Sequence, residues 1–305
     1  MPAMTLRVPV AAVVAVATTI GLAPSQPRVT ARIATGRSPC ESAATTRAVW
    51  VANDGAGTLA RIDPGTNRVT ARIRTGRGSC AIAAGAKIWV GNYRTGLLLR
   101  VDPRTSKVRR VAVGGSPFDV LVAYGSTWVT DFDDGVLTEV DARTARVTRR
   151  INIGGFPTGL LSAYGAIWVG LGRAATEIVR VDPRSGEARR IDVGLQAPSH
   201  LLAVEGRIWV VNDGDAIALL DPDNDQVLTV THVGRTLVQP ALAPDGTVWV
   251  PDKQTDTIFR LSPATGRLLD SFPGGNGAFQ ALRAFGSMWV TSYAGTKVWR
   301  FSTGR

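Results

Sequence analysis

Seven Trp-Val pairs recur along the chain at a nearly constant interval, and no other feature constrains the fold as strongly. The tryptophans are Trp50, Trp89, Trp128, Trp168, Trp209, Trp249 and Trp289, spaced by 39, 39, 40, 41, 40 and 40 residues. Two further markers keep step with them. After each Trp comes Asp63, Asp102, Asp141, Asp182 or Asp221, mostly followed by Pro, with Ser262 and Ser302 in the last two units. Before each Trp sits Gly36, Gly76, Gly114, Gly154, Gly194, Gly234 or Gly274. Three markers in fixed order at this period mean stacked units, none of which buries its hydrophobic face alone.

The content of one unit follows from residues 114–154. Gly114-Gly115-Ser116-Pro117 is a turn. An apolar strand A is predicted over residues 118–123, then a turn at Tyr124-Gly125-Ser126 and strand B over residues 127–132. Asp133-Asp134-Gly135 turns into strand C at 136–140, and strand D at 146–153 carries Val147, Ile151 and Ile153 in period-two register. Four short strands per unit without helical periodicity make a propeller blade. The expected fold is all-β: a seven-bladed β-propeller of four-stranded antiparallel blades. One Trp per blade, at the same place on strand B, then fills the space between neighbouring blades, each indole burying roughly 200 Å².

Ring closure is also legible. Residues 28–37 read RVTARIATGR and residues 68–77 read RVTARIRTGR, so the first segment is a strand D with no strands A to C before it. The last unit carries strands A to C and no strand D. The two fragments are expected to complete one blade, the N-terminal strand pairing with the C-terminal blade.

Ahead of this repeat, Met1 to Arg7 precede an apolar run from Val8 to Ala23, and Ala23-Pro24-Ser25 offers small residues for cleavage. Residues 1–25 read as a secretory signal peptide and 26–305 as the propeller. A secreted, periplasmic or cell-surface protein is expected, with no transmembrane span after cleavage, and a monomeric ring. Export favours oxidised thiols. Cys40 and Cys80 stand at equivalent places in adjacent units, four residues after the blade Gly, and form a disulfide candidate provided the inner strands lie close enough. The formal net charge is +11. Arg109-Arg110, Arg149-Arg150 and Arg189-Arg190 recur on strand D, where arginine protects an exposed edge or forms a rim for a cell-surface polyanion. Nucleic acid is a less favoured partner, and a protein partner stays open.

The cores WVAND with RIDP, WVGNY with RVDP and WVVND with LLDP resemble the YVTN-type β-propeller repeats of bacterial surface and periplasmic proteins. The pattern is also distantly similar to virginiamycin B lyase propellers. That resemblance implies a divalent metal, a Glu three residues after the blade Trp and a His just after the strand A Pro. Here the Trp-plus-three residues are Asn53, Asn92, Asp131, Leu171, Asn212, Asp252 and Ser292, and His200 stands two residues after Pro198. The lyase's catalytic set is not reproduced.

Candidate site residues are those that break the repeat on the face where strand A begins and strand B ends. At strand A they are Glu41, Asp119, Ser199, His200, Gln239 and Gln280, with Phe118 and Phe279 beside them. Beyond strand B they are Tyr93, Phe132 and Tyr293, and the Trp-plus-three acids Asp131 and Asp252 border the same turns. His200 is the candidate for proton transfer, with Asp119 or Glu41 as its acid. The only other His, His232, falls on an outer strand. No metal site and no cofactor are predicted, and no Gly-x-Ser-x-Gly, P-loop or dinucleotide fingerprint occurs in a suitable context. The expected function is an exported, non-catalytic binding module for an unknown small molecule. The alternative is a propeller enzyme, lyase-like or hydrolytic, with its site around His200.

Overall fold

The structure, a computed structural model, describes residues 26–303; the signal-peptide reading falls on residues outside that range. The chain forms seven four-stranded antiparallel sheets. Blade 3 shows how closely the repeat maps onto strands. Its strands A to D are Pro117–Ala123, Ser126–Asp131, Val136–Asp141 and Val147–Asn152. Six sheets are built from four consecutive strands. The seventh combines Ala278–Ala284, Ser287–Ser292 and Lys297–Ser302 with Arg28–Ala34, which pairs antiparallel with the last of them from Arg28↔Ser302 to Ala34↔Lys297. The ring is therefore closed by a strand from the opposite end of the sequence.

Each blade presents one apolar face to the next, and the seven tryptophans fill the seams. All seven are at most 1% exposed. Trp50 of blade 1 packs with Ile82, Ile88, Val90 and Val101 of blade 2, and the other seams repeat this arrangement. Burying an indole of roughly 200 Å² at about 25 cal/mol per Å² contributes several kcal/mol per blade as an upper bound.

Arginine straps reinforce the seams. Arg149, Arg180 and Arg300 stack on Trp128, Trp168 and Trp289, with guanidinium-to-ring distances of 5.5, 5.0 and 4.8 Å. Each also reaches the turn between strands C and D of the following blade. Arg149 donates to the Pro183 carbonyl at 2.7 Å, Arg180 to Pro222 at 3.0 Å and Arg300 to Pro64 at 2.6 Å. A second set works on strand D. Arg150 donates to the Val113 carbonyl and Arg190 to Ile153, while Arg72 reaches Ala34 and Thr35. Several of the strand D arginines thus hold neighbouring blades together through charge-assisted bonds rather than standing as a free rim.

Candidate functional site

Strand A lines the central channel, and a recurring irregularity aims its side chains there. In six of the seven blades the pairing of strand A with strand B slips just after the first residue of A, as between Pro117 and Val120. A bulge of this kind turns a side chain out of the pleat. In blade 6 the innermost strand shrinks to Ala241–Leu242, preceded by Pro240, which has no N–H for a ladder. The same repeat position, bulged in those six blades, carries Glu41, Asp119, His200, Gln239 and Gln280 in blades 1, 3, 5, 6 and 7, and the small residues Ala81 and Gly159 in blades 2 and 4. These side chains surround a channel cavity of about 180 Å³.

Several of them tie one blade to the next. The Glu41 carboxylate accepts the Ile82 N–H at 3.1 Å, and Asp119 accepts the Leu160 N–H at 2.7 Å. The Gln280 amide oxygen accepts both the Ser42 N–H and its hydroxyl, at 2.5 and 2.7 Å. Gln239 crosses the channel and donates to Glu41 at 3.2 Å.

The two acids are buried, and burial disfavours their charged forms. It pushes the Asp119 carboxyl up to about 6, against the pull of its bonds to the Leu160 and Val120 N–H groups and of His200. Burial also holds Glu41 well above the usual carboxylate range; the charge of Asp119 adds to this, while the bonds from Ile82 and Gln239 oppose it. His200 is 8% exposed. Its Nε2 lies 3.5 Å from the Asp213 carboxylate, and its Nδ1 is buried without a partner. Burial pushes the Asp213 carboxyl up, but the His200 contact, with Lys253 adding to it, holds it below its ordinary value.

Above the channel lies a mouth cavity of about 430 Å³ that shares Glu41 and His200 with it. Its walls are aromatic. Phe118 stacks on Phe132 at 5.0 Å between ring centroids, and Phe279 on Tyr293 at 5.3 Å. Asp54 organises one side, accepting from the Tyr293 hydroxyl at 2.9 Å, the Tyr93 hydroxyl at 3.3 Å and the Gly78 N–H at 2.8 Å. Partial burial and Asp54 together push the Tyr293 hydroxyl up to about 12, so it stays a donor. Cys40 and Cys80 are joined in a disulfide at the edge of this cavity, their Cα atoms 5.3 Å apart. Inner strands converge on the axis closely enough for the bond.

Of the residues expected from sequence, the structure gathers Glu41, Tyr93, Phe118, Asp119, His200, Gln239, Gln280 and Tyr293 around the channel and its mouth. It places three others in the framework. Asp131 accepts the Ser116 and Asp134 N–H groups, and Asp252 accepts those of Arg235, Gln254 and Thr255, so both cap turns. Ser199 is buried, its hydroxyl donating to the Ala197 carbonyl and its own carbonyl accepting from Thr158. His232 sits on an exposed outer strand beside Asp215, away from the channel. Five mouth residues escaped the sequence reading: Thr236 and Val238, and the charged Asp54, Asp213 and Lys253. The three charged ones stand four residues after a blade Trp, the same place as Tyr93, Phe132 and Tyr293. Reading that column across all seven repeats would have found them.

No family model matches the chain, and no curated protein matches it in sequence. Solved structures do resemble it. Virginiamycin B lyase from Staphylococcus aureus superposes with a TM-score of 0.79 at 12% identity, covering 91% of this chain and 99% of that one. Hydrazine synthase of Kuenenia stuttgartiensis gives 0.75 at 14% identity, covering 88% and 96%. The WD40 β-propeller domain of Doa1 gives 0.77 at 13% identity, covering 92% and 98%. Neighbours so different in name and so low in identity carry the fold alone. The chain is a seven-bladed β-propeller, distantly similar in fold to the virginiamycin B lyase propellers.

Proposed function

We propose that this protein is an exported binding module that holds a small molecule at the channel mouth. One observation carries the reading: the mouth and channel cavities adjoin, sharing Glu41 and His200, with aromatic walls on the one and polar side chains on the other. Aromatic faces take the flat apolar side of a ligand, and a few placed polar groups set its orientation. Asp54 and Asp213 offer carboxylate acceptors, so the ligand carries hydroxyl or amine donors along one edge. Cys40 and Cys80 are bonded to each other, so neither is a free nucleophile. The test is a thermal-shift screen of small cyclic and aromatic compounds against wild type and Phe279→Ala/Tyr293→Ala. Ligands that stabilise wild type and not the variant support the reading; hits unaffected by the substitution, or none at all, refute it.

A second reading rests on the His200–Asp213 contact inside that open cavity. An imidazole oriented by a carboxylate is the arrangement a general base uses, and lyases stand among the fold neighbours by name. In that case His200→Ala abolishes turnover of a bound compound while leaving its binding in place. Binding without turnover in wild type keeps the protein a binding module.

A further inference from the structure

The disc face opposite the channel mouth carries a second cavity. It measures about 460 Å³ and opens between blades 1 and 2. Its borders are the A–B turn of blade 1, the A–B turn of blade 2 at Gly85-Ala86 and the C–D turn of blade 2 at Pro103-Arg104, with Trp50 at its base. We propose that this cleft binds a small ligand bearing a multivalent oxyanion, such as a phosphate or sulfate ester, gripped by Arg47, Arg61 and Arg104.

The repeat supplies its own control. In blades 4 and 7 the arginine across from the blade Trp on strand C, Arg180 or Arg300, spans this same slot and donates to the turn carbonyl of the next blade, as Arg149 does from strand D in blade 3. In blade 1 the corresponding residue, Arg61, stands directly across from Trp50 on strand C, with its guanidinium 5.9 Å from the ring. Yet it makes no bond to Pro103, and the slot stays open; Arg100, across from Trp89 in blade 2, likewise makes no bond to the next blade. Trp50 shows the same incompleteness. The indole N–H groups of Trp128, Trp168 and Trp289 each donate to the carbonyl five residues earlier. The Trp50 N–H, on a side chain 1% exposed, has no acceptor, a state it shares with those of Trp209 and Trp249.

The cleft is therefore rich in cationic donors. Three guanidiniums border it, and none lies within ion-pair distance of a carboxylate among the described residues. The acids in the adjoining turns are committed elsewhere. Asp63 accepts the N–H groups of Gly65 and Thr66, and Asp102 pairs with Lys87 and accepts those of Arg104 and Thr105. Guanidiniums pair with carboxylates and with tetrahedral oxyanions alike, and three of them around one open space favour the more highly charged, multivalent group. The volume exceeds that of a bare ion, leaving room for the organic body of an ester. This site is independent of the channel mouth.

Pyrophosphate titrated into the full chain by calorimetry, at constant ionic strength against chloride and acetate, tests the proposal. Arg47 and Arg104 are exposed turn residues, so Arg47→Gln/Arg104→Gln leaves the fold intact; its melting curve checks this. Arg109→Gln/Arg110→Gln, on the outer strand of blade 2, removes the same charge outside the cleft. Wild type is expected to bind, the cleft variant to bind at least about tenfold more weakly, and the outer-strand variant within about twofold of wild type. Arg61→Gln should weaken binding as the cleft variant does. No binding by wild type overturns the proposal, as does an equal loss in the cleft and outer-strand variants, which would mean an adventitious ion on a cationic surface.

Discussion

Asp119→Asn isolates what burying a channel acid costs the fold. The carboxyl is buried and sits at about 6, against an ordinary 3.8. An acid with a raised value in the folded state holds its proton there longer than in the unfolded chain. Its contribution is therefore fully present below the unfolded value and is lost as pH rises through the folded one. The gap of about 2 pH units corresponds to about 3 kcal/mol, lost between about pH 4 and pH 7. Asparagine does not titrate. Its amide oxygen can accept one of the two N–H groups now bonded to Asp119, from Val120 at 2.6 Å and Leu160 at 2.7 Å, and leaves the other unsatisfied at a pH-independent cost of about 1–3 kcal/mol. Glu41, Gln239, Gln280 and His200 share the channel, and Glu41 titrates in the same direction. The difference between wild type and variant cancels most of that background. Urea unfolding at a series of pH values reads it directly. The variant should be the less stable protein at pH 4 and should gain about 3 kcal/mol relative to wild type by pH 7. A difference between the two that stays flat across this range refutes the argument that burial governs this carboxyl.

Three further outcomes follow from the framework. Replacing both cysteines by serine frees a loop with a sequence separation of 40, so the chain-entropy relation gives a loss of roughly 4 kcal/mol, visible as a lower urea midpoint; an unchanged midpoint refutes it. Deleting residues 28–36 removes the outer strand of blade 7 and bares the edge of Lys297–Ser302, so light scattering should show oligomers, whereas a monomer with unchanged melting would disprove closure by this strand. Trp168→Ala empties a wholly buried seam and should cost about 3–5 kcal/mol in chemical unfolding, with less than 1 kcal/mol arguing that the seam collapses around the gap.

The fold was legible because one residue type repeats the same physical task seven times. A Trp at the middle of each strand B makes the period visible through all the variation around it, and the paired sequences at 28–37 and 68–77 make closure visible as well. Blade 6 departs from the pattern for a local reason: Pro240 and the short Ala241–Leu242 strand interrupt an innermost strand that reads as regular elsewhere. The channel residues stood out because bulged positions escape the packing demands that keep the rest of the repeat uniform. Glu41, Asp119 and His200 differ because side chains that face the channel are not held to the apolar packing of the seams. Asp54, Asp213 and Lys253 were obscured by their neighbours. Each follows a Trp-plus-three residue that caps a turn, and one turn residue resembles another until the side chains are seen to point into a cavity. The disulfide stayed open because the convergence of inner strands on an axis is a three-dimensional property, absent from spacing along the chain.

Closure by Arg28–Ala34 has a practical corollary for orientation. Arg28 lies opposite Ser302, so both ends of the described chain leave the same sheet at the level where the other blades make their C–D turns. That level is the underside of the disc. A tether, tag or solid support joined to either end would therefore hold the molecule with its aromatic vestibule facing outward and the arginine cleft facing the attachment. Immobilised protein should admit ligands to the vestibule as freely as protein in solution does.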